Sequence, residues 1–154
     1  MEILGEFTTS LVKALGEIDK SWEEYDGLVV CGSHSPTDIE ERIEKIKEAG
    51  ESGRPFLGIC HGHQLAAIQW ARANGILDAT SEEFGEGTFV VKRRDQLDVG
   101  LLDGETYWSN YAVAIDWQKP DYFFTTPSHP EYQSSKHSPH PLLVNFLKAC
   151  KKAT

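Results

Sequence analysis

The segment at residues 54–64 joins a buried-strand pattern to the start of a helix and places Cys60 where the two meet. Gly58 and Gly62 stand two residues before and after this cysteine. That spacing is typical of a sharp strand-to-helix turn that projects its central side chain outward. The unpaired N–H groups and the dipole at the helix start favour a thiolate. The segment therefore predicts a cysteine nucleophile at the end of a strand.

Composition and charge exclude several classes of protein. Of the 154 residues, 40% are hydrophobic, so we expect one globular domain over residues 1–154 with its own core. No apolar run is long enough to span a bilayer, and residues 1–20 are amphipathic and acidic, unlike a signal peptide. Three widely separated cysteines fit a reducing compartment, so the expected location is the cytoplasm, with no membrane role.

The net charge of −9 disfavours nucleic acid as a partner. One short basic cluster, at residues 92–94, ends a strand-like run, and we interpret it as a solvated strand edge.

Segments rich in Val, Ile and Phe alternate with helix-like segments, which predicts an α/β fold with a parallel or mixed sheet covered by helices. The second helix has the clearest limits, because Thr37 and Glu40 form a capping box and Gly50 follows as a stop. A long loop at residues 128–140 is expected to carry function. The predicted strands are residues 26–31, 55–60, 87–92, 107–116 and 122–126, with a weaker strand at 2–4. The predicted helices are residues 9–22, 37–49, 63–74 and 141–151.

A cysteine nucleophile needs a base and a group that orients the base. His129 follows the last predicted strand and is the expected base, and later the acid. Alternate side chains of an extended segment point the same way, so Glu131 can reach the ring of His129 while Pro130 stiffens the turn. Cys60, His129 and Glu131 are therefore the predicted catalytic triad.

Acyl transfer passes through an intermediate whose negative oxygen needs hydrogen-bond donors. The predicted donors are the backbone N–H of His61 at the helix start and an N–H from the turn Gly32–Ser33. Both turns follow the carboxyl ends of strands, where open α/β sheets hold their sites. The histidines are not expected to bind a metal, because no acidic or cysteine ligands stand at a suitable spacing beside them; His63 is expected to pack or hydrogen-bond at the helix start.

These residues resemble the class I glutamine amidotransferases, whose nucleophile turn has the form Gly-x-Cys-x-Gly-x-Gln and whose base and acid lie in His-Pro-Glu. Within that family the chain is similar to the glutaminase domain of CTP synthase over most of its length from Asp26 onward. The matching segments are residues 26–30, 55–60, 64–66, 71–72, 78–79, 81–84, 129–132 and 138–139.

The resemblance implies a flavodoxin-like three-layer α/β sandwich with a mostly parallel central sheet. It also implies hydrolysis of the side-chain amide of L-glutamine through a Cys60 thioester, with release of ammonia and without metal or cofactor. By matched position, Gln64 and Glu83 hold the amino-acid part of glutamine, Tyr111 lies in the substrate segment, and Gly32 lies in the oxyanion loop. The ammonia would pass to a separate synthetase chain in pyrimidine nucleotide synthesis, or leave as product. The sequence leaves the oligomeric state open, including a homo-oligomer.

The chain departs from the family pattern at three places. Cys31-Gly32-Ser33 stands where the family has Pro-Gly-Gly, and residues 109–111 replace an arginine-tyrosine segment. The strand and helix normally found between Leu15 and Asp26 are largely missing. These departures motivate one alternative, a degenerate amidotransferase that serves as a binding or regulatory subunit.

A second alternative comes from His61. Residues 59–62 also resemble the turn of the intracellular protease and glyoxalase relatives of the same fold, in which the histidine next to the cysteine serves as its base. His129 would then have no catalytic role.

Overall fold

The strands at residues 2–4, 28–30, 56–59 and 123–126 are short, mostly apolar segments whose alternate side chains pack into two different cores. The computed structural model describes residues 1–34, 37–81, 83–92, 96–97, 105–108 and 113–154. In chain order the strands are β1 (Glu2–Leu4), β2 (Leu28–Val30), β3 (Phe56–Ile59), β4 (Ala79–Ser81), β5 (Thr88–Lys92), β6 (Gln96–Leu97), β7 (Glu105–Trp108), β8 (Val113–Asp116) and β9 (Phe123–Thr126). The helices are α1 (Thr9–Ile18), α2 (Ile39–Ser52), α3 (His61–Ala73) and α4 (Pro141–Ala153), with 3-10 turns at Trp22–Glu24 and Pro130–Tyr132.

Six strands form one sheet in the spatial order β1-β2-β3-β9-β8-β7. The pairings β1–β2, β2–β3 and β3–β9 are parallel, whereas β8 and β7 extend the sheet with antiparallel pairings. A smaller sheet has the order β4-β5-β6. The mostly parallel central sheet predicted from the sequence is confirmed.

Helices cover both faces of the central sheet. In β2, Leu28 and Val30 pack into a core with α2 and α3, while Val29 between them packs into a core with α1 and α4. This alternation separates two fully buried apolar clusters by one layer of backbone. The three-layer α/β sandwich implied by the family resemblance is therefore confirmed. Among the described helices, none has the length and apolar character needed to cross a membrane.

The second helix differs from its prediction at both ends. It starts at Ile39 after Asp38, whose φ of 60° is left-handed, so the predicted capping box of Thr37 and Glu40 is wrong. The Glu40 carboxylate pairs instead with Arg72, with N–O distances of 2.7 and 3.1 Å. The helix continues through the predicted stop at Gly50 and ends at Ser52, and the φ of +76° at the next residue, Gly53, suits a glycine C-cap.

Two further predictions need correction. The helix predicted at 9–22 ends at Ile18, after which a 3-10 turn leads to β2. The single strand predicted at 107–116 is two antiparallel strands, β7 and β8; residues 109–112 between them lie outside the described residues. The strands β4 and β6 were not predicted. Each other predicted element is present, with its ends shifted by three residues or fewer. In the basic cluster, residues 93 and 94 lie outside the described ranges.

Candidate active site

Cys60 lies at the junction of β3 and α3, as the glycine spacing predicted. Its φ of 53° and ψ of −100° are values that non-glycine residues rarely adopt, so the turn is held by its surroundings. One contact that holds the turn is the hydrogen bond from the Cys60 N–H to the carbonyl oxygen of Thr126, at 2.8 Å. α3 begins at the next residue, beside the sulfur of Cys60. The first N–H groups of a helix have no partners within the helix.

The two glycines around Cys60 are required by close packing. A Cβ atom added to Gly62 would overlap the carbonyl oxygen of Val30 in the neighbouring strand β2. A Cβ atom added to Gly58 would lie 2.9 Å from the carbonyl group of Gly62 and from Cγ2 of Thr125. Because these contacts lie close to Cys60 on both sides, they fix the direction of its side chain.

His129 and Glu131 form a hydrogen-bonded pair just beyond β9. Nδ1 of His129 lies 2.7 Å from Oε1 of Glu131, whose side chain is 1% exposed. Burial raises the pKa of Glu131, and His129 partly offsets this effect. The ring of Tyr132 stacks on that of His129 with centroids 4.7 Å apart. Since a carboxylate only accepts, this contact places the proton of neutral His129 on Nδ1 and leaves Nε2 for proton exchange.

Five of the predicted site residues, Ser33, Cys60, Gln64, Glu83 and His129, line one cavity of about 440 Å³. Glu131 and Gly32 both contact His129, which lines the cavity. Glu131 is hydrogen-bonded to His129, and a Cβ atom added to Gly32 would lie 3.0 Å from Cε1 of His129. Tyr111 lies outside the described residues, so its assignment stays a prediction. The cavity is lined by Phe7, Ser33, His34, Cys60, Gln64, Glu83, His129 and Tyr132.

Gln64 and Glu83 are joined in a ring of hydrogen bonds that includes Ser81, a residue for which no role was predicted. The Ser81 hydroxyl donates to Oε1 of Gln64 at 2.6 Å and accepts from the N–H of Glu83 at 3.3 Å. Nε2 of Gln64 donates to Oε2 of Glu83 at 2.9 Å. Gln64 therefore presents its N–H donors near the cavity.

His61 is engaged away from the cavity. Its Nε2 lies 3.0 Å from Nη1 of Arg42, and its ring packs edge-on against Phe84. Burial, together with Arg42, lowers the pKa of His61 to about 4. An imidazole that accepts from a guanidinium is poorly placed to take a proton from Cys60, so the geometry disfavours His61 as the base.

His63 packs and hydrogen-bonds at the start of α3, as predicted. It is fully buried, and its Nδ1 lies 2.9 Å from Oγ1 of Thr125, which also accepts from the indole N–H of Trp117. Burial lowers the pKa of His63 to about 3. In the described ranges, no group of three His, Cys, Asp or Glu side chains is arranged to hold a metal ion.

We expect the free energy of unfolding to fall as the pH drops below about 6.5, the ordinary pKa of histidine. The folded-state pKa values of His61 and His63 are about 4 and about 3, so the unfolded chain binds more protons in this range. Each histidine then lowers stability by up to ~1.4 kcal/mol per pH unit. The raised pKa of Glu131 acts in the opposite direction, because its contribution to stability is lost as the pH rises above its unfolded value.

Urea unfolding at pH 7 and pH 5 measures this difference. His61→Gln should reduce it, whereas His137→Gln, at an exposed position, should leave it unchanged. Equal stability of the wild type at the two pH values would contradict the expectation.

The family model for class I glutamine amidotransferases matches residues 6–126. That span is more than half of the chain and contains Cys60, Gln64 and Glu83. The chain therefore belongs to the class I glutamine amidotransferase family, as the motifs around Cys60 and His129 indicated.

Within the family, the similarity is to CTP synthases. The CTP synthase of Methanoculleus marisnigri is 30% identical over 182 residues, which cover 84% of this chain and 34% of that protein. The CTP synthase of Methanoregula boonei is 50% identical over 97 residues, or 62% of this chain and 18% of that protein. The chain thus matches about a third of the length of the Methanoculleus marisnigri protein and less than a fifth of the Methanoregula boonei protein. The 182-residue alignment is longer than the 154-residue chain, so that relative has segments without a counterpart here.

A solved structure of the Trypanosoma brucei CTPS glutaminase domain with bound acivicin has the same fold. The TM-score is 0.78 at 17% sequence identity, over 99% of this chain and 94% of that chain. The flavodoxin-like fold class inferred from the sequence is therefore the fold of a CTPS glutaminase domain.

Proposed function

We propose that the protein hydrolyses the side-chain amide of L-glutamine to glutamate and ammonia through a thioester on Cys60. The observation that carries this proposal is the shared cavity of Cys60 and His129, with His129 oriented by Glu131 and with Gln64 and Glu83 on the same cavity. Nucleophile, base, orienting acid and polar binding groups are the parts that amide hydrolysis requires.

In the proposed reaction, Nε2 of His129 takes the thiol proton of Cys60, and the sulfur attacks the amide carbon of glutamine. The tetrahedral intermediate breaks its C–N bond as His129 gives the proton to nitrogen, and ammonia leaves. Water, deprotonated by His129, then attacks the thioester carbon, which releases glutamate and returns a proton to Cys60. Backbone N–H groups of His61 and the Gly32–Ser33 turn bind the negative oxygen.

Substrate selection follows from the ring of hydrogen bonds at Gln64. The Glu83 carboxylate suits the α-ammonium group of an amino acid, and the Gln64 N–H suits an acceptor such as its α-carboxylate. Because Ser81 occupies Oε1 of Gln64, the amide is held in the donor orientation. These residues together favour a zwitterionic amino-acid amide over a simple amide.

The proposed fate of the ammonia is transfer to a synthetase. The curated relatives are CTP synthases, and this chain matches about a third of the Methanoculleus marisnigri protein. The chain has the fold of a CTPS glutaminase domain, so a synthetase of the CTP synthase kind is the proposed acceptor of the ammonia.

Ammonia and glutamate released from L-glutamine by the purified protein test the proposal, with the Cys60→Ala variant as the blank. We expect the two products in equal amounts, and a rate with L-asparagine about 10- to 200-fold lower, because that substrate lacks one methylene group. Acivicin, which the Trypanosoma brucei domain binds, should protect Cys60 from alkylation.

A wild-type rate equal to the blank, both alone and with the ammonia-accepting domain of a CTP synthase, would refute the glutaminase proposal. Glutamine binding measured by calorimetry under those conditions would then support the alternative of a degenerate binding subunit. The 182-residue alignment leaves segments of the Methanoculleus marisnigri protein without a counterpart in this chain, and this observation favours that alternative.

A further inference from the structure

The turn Gly32–Ser33 is bound by the segment that follows β1. The carbonyl oxygen of Gly32 accepts hydrogen bonds from the backbone N–H groups of Glu6 and Phe7, each at 3.0 Å. The hydroxyl of Ser33 donates to Oε1 of Glu6, also at 3.0 Å. Three hydrogen bonds therefore connect Gly32 and Ser33 to Glu6 and Phe7. Ser33 and Glu6 are 27 positions apart in the chain.

Close packing supports these bonds. Gly5 has a φ of +124°, and a Cβ atom added there would lie 2.6 Å from Sγ of Cys31. A Cβ atom on Gly32 would lie 2.8 Å from Cδ2 of Phe7 and 3.0 Å from Cε1 of His129. The turn thus packs against Phe7 and against the ring of His129.

The direction of one peptide group follows from these contacts. In a trans peptide the C=O of one residue and the N–H of the next point in opposite directions. Since the Gly32 carbonyl points at Glu6 and Phe7, the Ser33 N–H points away from them. Ser33 lines the same cavity as Cys60, so the peptide group between Gly32 and Ser33 lies at the wall of that cavity.

We propose that Glu6 is a positioning residue for this oxyanion turn. Its backbone N–H and its carboxylate hold the Gly32–Ser33 peptide so that the Ser33 N–H meets the negative oxygen formed on the glutamine amide. Ser33 supplies the hydroxyl by which Glu6 reaches the turn, a group that the second glycine of the family's Pro-Gly-Gly does not have. The inference deepens the proposed function and rests on it for its kinetic consequence. A donor that is fixed before the reaction requires no reorganisation in the transition state.

The first test is kinetic and uses Glu6→Ala, Ser33→Ala and the double variant. We expect each single variant to lose about 10- to 100-fold in kcat with little change in KM, and the double variant to lose no more than either. Glu6→Gln keeps a carbonyl acceptor for the Ser33 hydroxyl and should restore most of kcat. Glu51→Ala, an exposed acid on α2, is the matched control with wild-type kcat. A kcat within twofold of wild type in Glu6→Ala overturns the inference.

The second test does not depend on turnover. Hydrogen exchange of the Glu6 and Phe7 amides should be at least several-fold faster in Glu6→Ala and in Ser33→Ala than in the wild type, because both variants weaken the contact between the loops. Unchanged exchange at both amides overturns the inference even if the wild type is active. Faster exchange together with an inactive wild type would refute the glutaminase proposal while supporting the positioning of the turn by Glu6.

Discussion

Replacing Cys60 or His129 by alanine is expected to remove essentially all glutamine hydrolysis, a loss of at least ~10⁴-fold in kcat. In the proposed reaction Cys60 forms the thioester and His129 moves the proton in both halves, so neither would have a substitute. The loss in Glu131→Gln should be about 10²-fold smaller than in either alanine variant, because the buried carboxylate is proposed to orient His129 without touching the substrate. Steady-state ammonia release measures all three losses.

Matched control variants exist for the Cys60 and His129 substitutions. Cys150→Ala alters a buried cysteine of α4, and burial raises the pKa of Cys150 to about 12, so this variant should retain turnover. His137→Ala alters an exposed loop histidine and should also retain it. Equal losses for Cys60, His129 and Glu131 variants would contradict the assigned roles. Turnover abolished by His61→Ala but retained by His129→Ala would transfer the role of base to His61.

Gly62→Ala is expected to produce the largest loss of stability, about 3–5 kcal/mol. The added methyl group would overlap the backbone carbonyl of Val30, and a backbone atom of a central strand cannot move aside as a flexible side chain can. Separation of α3 from the sheet would also displace Cys60. Urea unfolding and turnover should therefore fall together.

Gly16→Ala is the matched control for this prediction, because Gly16 also lies within a helix, α1. Its Cβ atom would lie 3.6 Å from Nε1 of Trp22, an ordinary contact, so alanine should stabilise the protein by about 0.5–1 kcal/mol. Equal effects of the two substitutions would show that helix propensity, and not the contact with β2, determines the result at Gly62.

Local patterns in the sequence were sufficient to place the nucleophile turn. Gly58, Cys60 and Gly62 lie within five residues, so the requirement for close packing is visible without knowledge of the fold. The His129–Glu131 pair was predictable because the two residues are close in sequence, although Glu131 reaches His129 from the 3-10 turn Pro130–Tyr132 and not from the predicted extended segment. Alternating apolar segments likewise indicated a parallel or mixed sheet covered by helices.

Features that depend on contacts between distant segments were not predictable. The acid that binds Ser33 is Glu6, and the hydroxyl that orients Gln64 is Ser81; both contacts exist only once separate loops and strands come together. The capping box at Thr37 is not formed because the helix starts at Ile39, after Asp38, and the carboxylate of Glu40 pairs with Arg72 of another helix. The antiparallel pairing of β7 with β8 was not predicted, because residues 107–116 were interpreted as one strand. The single domain, the cytoplasmic location and the role of Tyr111 stay predictions.

The most direct test of the central claim is to identify the covalent intermediate. Protein mixed with L-glutamine and quenched in acid within one turnover should gain the mass of one glutamyl group, and peptide mapping should place it on Cys60. Ammonia release without such an adduct, or an adduct on another residue, would contradict hydrolysis through a Cys60 thioester.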